Sequence, residues 1–241
     1  MGEAATVTTA GPTGLSVKAD SSEDIITIAV AGTGAGTAAV AGSAAVTILD
    51  ETTQAYIGRS ATLTATVGSV GLGAKDDTTV VSVAGNLAAA GTAAVGVGAD
   101  VGVITKRTQA FVDSNVTANV KKDIVIAAAS SEDITSVAAG MSVSGSASIA
   151  LDASVHILDV KTRAFIGDDP SDAVASAGAG DVHAEGNILI SADERTEIDK
   201  IVGVLAVSGT AGIGAAGGVT VIGKTTEAFV GAGAKVTADG K

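Results

Sequence analysis

Two histidines and several adjacent carboxylates are the residues of this chain whose types could support catalysis or metal binding. His183 lies near Asp181 and Glu185, and an imidazole with two carboxylates could hold a divalent cation. A metal site needs three or four convergent ligands, and we expect these side chains to lie in a solvated surface loop instead. His156 has no Ser-Gly elbow beside it, so no Ser-His-Asp triad is predicted.

Glycoside hydrolysis uses two carboxylates that flank the scissile bond. Neighbouring residues of a strand point to opposite faces, and no aromatic platform accompanies the acids, so we expect solvated surface acids rather than an active site. The sequence therefore predicts no enzyme, no cofactor and no metal centre. The carboxylate pairs are Asp76/Asp77, Asp168/Asp169 and Glu132/Asp133.

Composition excludes further classes of function. The 241 residues include 14 Lys and Arg against 26 Asp and Glu, a net charge of −12, and no Cys. Phosphate backbones need a basic surface, so we expect no nucleic-acid partner, and zero Cys excludes a disulfide scaffold or a thiol nucleophile. No uninterrupted apolar run of about 18 residues occurs, so we expect no membrane insertion. The first residues lack basic and apolar regions, so no signal peptide is expected.

An internal repeat organises the whole chain. Four segments align without a gap over 23 residues, beginning at Gly36, Gly91, Gly145 and Gly209. We predict a single array over 1–241, with copies at about 15–66, 67–123, 124–186 and 187–241 and a loop insertion within 168–186 of the third. The two ends share one phase of the repeat, so we expect the chain to belong to a longer array. One alignment column holds all the aromatic residues, Tyr56, Phe111, Phe165 and Phe229, and another holds Thr53, Thr108, Thr162 and Thr226.

Alternation within each copy indicates β-strands. Counted from the first Gly as zero, columns two, four, ten and twelve are Ala, Val or Ile, and the odd columns between them are Gly, Ser, Thr, Ala or Asp. The pattern predicts a buried face formed by the even columns and a wetter face that includes His156 in column eleven. We predict an all-β fold, a β-solenoid with two to three coils in each copy, so that one copy advances about 10–15 Å. The even columns include Val46, Val101, Val155 and Val219.

The aromatic column is the strongest candidate for a specific role. At two or three coils apart the rings would be too distant to stack on each other. They either fill a corner of the coil or form an exposed row for a partner, and their apolar neighbours favour burial. The Thr column would bond between coils or cap a turn, which is a structural role.

The repeat block resembles the repeats of large bacterial filamentous adhesins, including leukotoxin-type and filamentous-haemagglutinin-like surface proteins. The likeness rests on the pattern Gly-Thr-Ala, Val-Thr-Ile/Val and Thr-x-Ala-Tyr/Phe-Ile/Val-Gly, followed by Gly/Ala-x-Val-Thr-Ala, and it covers nearly the whole chain. The resemblance implies a right-handed parallel β-helix stalk, secretion across the outer membrane, and adhesion or a scaffold role at the bacterial cell surface. The secretion domain of such proteins is not in this sequence.

Three hypotheses of function follow. The first is a structural repeat segment of an extracellular bacterial adhesin or surface filament, a rigid stalk or spacer whose partner is a glycan or protein receptor of a host cell or surface. The second is a subunit that self-associates end to end into an extracellular filament or sheath, because solenoid ends expose strand edges. The third, which the lack of clustered acids disfavours, is a β-helix enzyme acting on polysaccharide.

Overall fold

Thirteen parallel strands in three sheets form the molecule, which is a computed structural model describing residues 1–169 and 180–241. The short sheet contains β1 (Thr6–Thr9), β4 (Thr62–Ala65), β7 (Thr117–Val120), β10 (Gly180–Ala184) and β13 (Ala234–Ala238). The first long sheet contains β2 (Leu15–Ala35), β5 (Val70–Ala90), β8 (Ile124–Ser144) and β11 (Ile188–Ser208). The second long sheet contains β3 (Ala38–Ile57), β6 (Ala93–Val112), β9 (Ala147–Ile166) and β12 (Ala211–Val230).

One short strand and two long strands make one coil, and the coils stack in sequence order. Each long strand of the first three coils pairs in parallel with the strand one repeat later, as Leu15 pairs with Val70 and Tyr56 pairs with Phe111. The described chain contains no helix. The predicted all-β, parallel β-solenoid fold is therefore confirmed.

The predicted number of coils in each copy is wrong, because each copy supplies one coil. Its two apolar runs are uninterrupted strands of 21 and 20 residues. Acidic and Ser-rich stretches have the composition of turns, but one of them, 21–24, lies in the middle of a long strand. A copy therefore advances the stack by only about 4.8 Å, while each long strand extends for about 70 Å. The four coils form a wide, flat blade rather than a narrow rod.

The two long sheets face each other and meet at a tight turn. Gly36 and Thr37 join β2 to β3, and the same turn recurs in every coil. A Cβ atom on Gly91 would lie 2.1 Å from the carbonyl oxygen of Gly36, so stacking of these turns excludes any side chain there. The same close approach recurs at Gly145 and Gly209 and explains the glycine that begins the second, third and fourth repeat blocks.

The interior changes in character along the width of the coil. Where all three sheets meet, there is room for large apolar side chains such as Ile57, Leu63 and Leu72. A second apolar layer, formed by Val80, Ile104, Ile134, Leu158 and Val160, lies further along the long sheets. Polar side chains lie before and after this layer, and small Ala residues pack near the turn.

The predicted assignment of the two strand faces is wrong for the second long sheet. Val46 and Val219 of column ten are 57% and 55% exposed, whereas Thr47 and His156 of column eleven are 5% and 0% exposed. Near the tight turn the two sheets lie close together, so the interior accepts Ala, Gly and Ser most readily. The larger Val and Ile side chains point outward there.

Candidate functional sites: a polar interior and an outer face

A layer of charged side chains crosses the interior between the two apolar layers. Lys106 of β6 forms ion pairs with Asp76 of β5 and with Glu132 of β8, the latter at 3.3 Å, and none of the three side chains has exposed surface. Lys106 also donates a hydrogen bond of 2.5 Å to Thr78. Charges buried this completely are tolerated only when they are paired and hydrogen-bonded, and Lys106 meets both conditions.

The charged layer continues into the first and fourth coils. In the first coil, Ser21 donates to the carboxylates of both Glu23 and Glu51. Thr78 links this coil to the second through a 3.2 Å bond to Glu23. The layer therefore begins at the first coil and reaches Lys106 through hydroxyl groups.

At the other end of the layer, Thr196 donates to Glu132 at 2.8 Å and also to Glu194. Glu194 in turn pairs with Lys224 at 2.7 Å. The result is a continuous chain of hydrogen bonds and ion pairs through all four coils.

Two carboxyl pairs in the layer have pKa values shifted in opposite directions. Burial and a hydrogen bond to Glu23 raise the pKa of Glu51. For Glu23, burial acts upward on the pKa, but hydrogen bonds from Glu51, Ser21 and Thr78 outweigh it and lower the pKa. This opposite shift is expected when one carboxyl donates to the other.

The second carboxyl pair behaves in the same way. Burial raises the pKa of Glu132, against the effect of its hydroxyl partners and Lys106. The pKa of Glu194 is lowered, because hydrogen bonds from Lys224, Thr196 and Glu132 exceed the effect of burial. The layer therefore holds protons at Glu51 and Glu132 more tightly than ordinary carboxylates do.

One group in this layer has the composition of a hard-cation site. Carboxylate oxygens of Glu23, Glu51 and Asp76 lie within 4.8 Å of one another. Oxygen ligands of this kind suit Ca²⁺ or Mg²⁺. Ser21 and Lys106 already contact these oxygens, so the arrangement is accounted for by internal hydrogen bonds.

A Ser-His-Asp cluster, which the sequence analysis did not predict, lies beyond the second apolar layer. Ser154 lies 3.4 Å from Nδ1 of His156, and Nε2 of His156 lies 3.7 Å from Asp100. Ser82 and Ser136 also donate to Asp100. These side chains are at most 1% exposed, so a substrate has no access to them and the cluster serves packing rather than acyl transfer.

Burial sets the protonation of this cluster. It lowers the pKa of His156, and the nearby Lys200 acts in the same direction, while Asp100 opposes them. The expectation that His156 lies on the wetter face is wrong, because column eleven points into the narrow interior. His156 is therefore a buried imidazole that favours its neutral form.

Glycines opposite or beside the large polar side chains make room for them. A Cβ atom on Gly102 would lie 2.4 Å from Cδ2 of His156. Asp152 accepts a 2.7 Å bond from Asn86, and a Cβ on Gly98 would lie 2.4 Å from Asp152. The glycines of the odd columns are thus explained by packing in the interior.

Two of the three carboxylate pairs lie in strands and divide between the two faces. Asp76 and Glu132 are fully buried, which corrects the expectation of solvated acids, while Asp77 and Asp133 point outward. The expectation failed because it took every acid to be on a solvated face, whereas alternation along β5 and β8 places one member of each of these two pairs inside. In the third pair, Asp169 accepts two hydrogen bonds from Arg163, at 2.8 and 3.0 Å.

The group around His183 lies in a strand and not in a loop. His183 and Asp181 belong to β10, which pairs with β7 and β13. His183 lies 3.4 Å from Asp239, while Asp181 pairs with Lys235 at 2.9 Å. Glu185 pairs with Lys121, so the three side chains considered above as possible cation ligands each have a different partner. The remainder of the predicted insertion, 170–179, lies outside the described residues.

The aromatic column forms a continuous stack on the outer face of the second long sheet. Neighbouring rings are 5.2, 4.8 and 5.0 Å apart and nearly parallel. The expectation that they are too far apart to stack is wrong, because one copy is one coil. Exposure ranges from 37% for Tyr56 to 3% for Phe165. Each inner ring covers the faces of its neighbours, so the stack presents ring edges and not a platform for a sugar.

The Thr column points into the interior beside the charged layer. Thr53, Thr108 and Thr162 are buried, and Thr226 is exposed in the last coil. Thr53 donates to Asp76 at 3.2 Å, whereas the hydroxyl oxygens of Thr108 and Thr162 have no hydrogen-bond partner among the described residues. The column therefore does not form a ladder of hydroxyl bonds between coils.

The outer face of the second long sheet near the turn is wholly apolar. Six outward columns, from Ala38 to Ile48 in the first coil and at the paired positions of the other three, contain only Ala, Val, Leu, Ile or Gly. Val40 and Ile48 are 68% and 75% exposed. We call this surface the apolar wall. The sequence does not reveal this wall, because alternation of residue types shows that a strand has two faces without showing which one points inward.

Comparison with protein-family models, curated proteins and solved structures finds no match to this chain. The structure itself defines the class, a parallel β-solenoid with one wide coil for each repeat. Among residues 1–169 and 180–241, no helix is long and apolar enough to cross a membrane.

Proposed function

We propose that this chain is a structural repeat segment of an extracellular bacterial adhesin or surface filament. The observation that carries the proposal is coil-on-coil pairing in unbroken register, with each long strand matched along its whole length to the next. Pairing between successive repeats is therefore what forms the array. The buried polar clusters support this role, since they stabilise the inside of the stack and offer no access to a substrate.

The geometry gives the array the form of a blade. Each copy adds about 4.8 Å to the length of the stack, and every coil is about 70 Å wide. Such an element gains little length for each repeat and offers a stiff, broad surface. A receptor glycan or protein would bind to its sheet faces or to its edges.

Immunolabelling of intact cells of the source organism tests the surface role. An antiserum raised against this chain is expected to label intact cells as strongly as permeabilised ones. Labelling that requires permeabilisation would refute the proposal, and a cytoplasmic marker in the same preparation controls for leaking cells.

The open edges favour a second candidate function, end-to-end assembly into a filament or sheath. Extending the strand register from one copy to the next would place Lys224 beside Glu51 and Phe229 beside Tyr56. Among the described residues, Lys224 pairs with Glu194, and one oxygen of Glu51 is buried without a hydrogen-bond partner, so these two side chains are complementary in charge.

One feature opposes stacking of separate copies. β13 already occupies the fifth position of the short sheet, where β1 of a second copy would have to lie. Removing residues 232–241 is therefore expected to promote fibres, seen by negative-stain microscopy, if end-to-end assembly is the function. Absence of fibres from both the full chain and the shortened one at high concentration would exclude it.

A further inference from the structure

The apolar wall is larger than an ordinary exposed patch on a monomer. Its outward columns run over residues 38–48, about 35 Å, and four strands give a height of about 19 Å. The area is about 650 Å², whereas the largest apolar patch of a typical monomer is about 300–600 Å². The wall contains no charged or polar side chain in any coil. Exposed apolar surface of this extent is typical of interaction sites.

The surface shape of the wall is complementary to itself. Ala99, Ala153 and Gly217 form a shallow groove at the centre of the wall. A ridge of β-branched side chains runs parallel to this groove, formed by Val46, Val101, Val155 and Val219. A two-fold axis would place the ridge of one molecule in the groove of another, as in an isologous dimer interface.

We propose that the apolar wall is a self-association surface on which a second copy of this chain packs face to face. The two walls together would bury about 1,300 Å², which lies within the range of about 1,200–2,000 Å² for stable protein interfaces. Aligned sheets pack about 10 Å apart with interdigitated side chains, and the alternating ridge and groove suit that spacing. This lateral contact is independent of the end-to-end assembly considered above.

A lipid occupant fits the wall less well. The edges of β3 and β12 border the wall and carry unpaired backbone groups within the described structure. Such groups cannot enter hydrocarbon without a large free-energy cost. A protein surface of matched relief leaves those edges in water.

Charged substitutions on the two opposite outer faces test the proposal by sedimentation velocity. Leu151 on the wall and Met141 on the outer face of the first long sheet are each 40% exposed. The natural chain is expected to sediment as a dimer. Leu151→Lys would bury a charge in the interface and raise the dissociation constant about a hundredfold or more, while Met141→Lys would leave it unchanged. Matched circular dichroism and unfolding midpoints would show that both variants are folded.

Cysteine labelling tests whether the wall is the contact surface, and it needs no assumption about the position of the two-fold axis. The chain has no Cys, so Ala153→Cys on the wall and Ala139→Cys on the opposite face each introduce one thiol. Maleimide labelling of Cys at position 153 is expected to slow with rising protein concentration, whereas labelling at position 139 stays constant.

Three results would overturn the proposal. One is a natural chain that stays monomeric at about 100 μM, well above the dissociation constant of a standard interface. Another is dissociation by Met141→Lys with no effect of Leu151→Lys. The third is a monomer that floats with neutral phosphatidylcholine vesicles and loses this binding on Leu151→Lys, which would assign the wall to lipid.

Discussion

Nζ of Lys106 lies 3.3 Å from Oε1 of Glu132, a residue of the next coil, and neither side chain has any exposed surface. A second acid, Asp76, contacts the same ammonium group from the other strand of the coil. The Lys106–Glu132 ion pair links the second coil to the third, and it lies between two apolar layers of the interior. Because desolvation is complete, the cost of removing one partner exceeds the net contribution of the pair itself.

Replacing Lys106 by Met should therefore destabilise the fold severely. The substitution leaves the buried carboxylates Asp76 and Glu132 without their cation, and the expected loss in free energy of unfolding is about 3–5 kcal/mol. Chemical denaturation followed by circular dichroism measures this loss. Lys75→Met is the matched control, because Lys75 pairs with Asp77 on the exposed face. Equal losses for the two variants would contradict the importance of burial.

The buried His156 should make stability depend on pH below neutrality. Its pKa is lowered in the folded state. Its contribution to the free energy of unfolding is therefore complete above the ordinary histidine pKa near 6.5, and it is lost as the pH falls through the lower pKa of the folded state. The difference in free energy of unfolding between the natural chain and His156→Gln should therefore shrink from pH 7 to 5, by at most about 1.4 kcal/mol per pH unit. His183→Gln, on the short sheet, is the control. A difference that stays constant would show that His156 does not titrate.

Glu132 should produce the opposite trend. Its pKa is raised in the folded state, so its favourable contribution is present below about 4.5 and is lost as the pH rises through the folded value. Glu132→Gln keeps the shape of the protonated side chain, and its stability relative to the natural chain should increase from pH 4 to pH 8. Unfolding curves at four pH values measure the trend. A constant or decreasing relative stability would contradict a proton held at this position.

Gly102 and His156 should be coupled in a double-mutant cycle. Gly102→Ala places a Cβ atom 2.4 Å from the imidazole, and overpacking of this kind costs about 1–3 kcal/mol. In the background of His156→Thr, the residue type at the same column in coils one and four, the cost should largely vanish. Gly217→Ala, on the outer face with nothing within 4 Å, is the control. An unchanged cost of Gly102→Ala in both backgrounds would place the clash elsewhere.

How far the sequence predicts this structure depends on the scale considered. The repeat and its alternation were enough for the all-β solenoid, because strand stacking requires only period two and a recurring unit. The coil count failed since Ser21 to Asp24 resemble a turn in composition but lie within β2. The face assignment failed at Val46 and Thr47, because the width of the gap between the sheets is a tertiary property.

The candidate sites were harder to predict for the same reason. Ser154 and His156 are two residues apart, but Asp100 reaches them from a different coil. Similarly, Lys106 meets Glu132 only through the register of stacked strands. The alignment does contain one signal, because the column of Lys106 also contains Glu51, Val160 and Lys224. If such a column of mixed charge is buried, its lysines require acidic partners nearby.

The aromatic stack gives the last test, which depends on position along the array. Phe111 contacts a ring on each side, while Tyr56 contacts one, and each parallel ring pair contributes about 0.5–1.5 kcal/mol beyond area burial. Phe111→Leu should therefore lower the free energy of unfolding by about twice as much as Tyr56→Leu, in measurements by denaturation. Leu retains most of the apolar contact, so the ratio isolates the ring pairs. Equal losses at the inner and the terminal position would mean that the rings act as separate apolar groups and that the stack adds no cooperativity between coils.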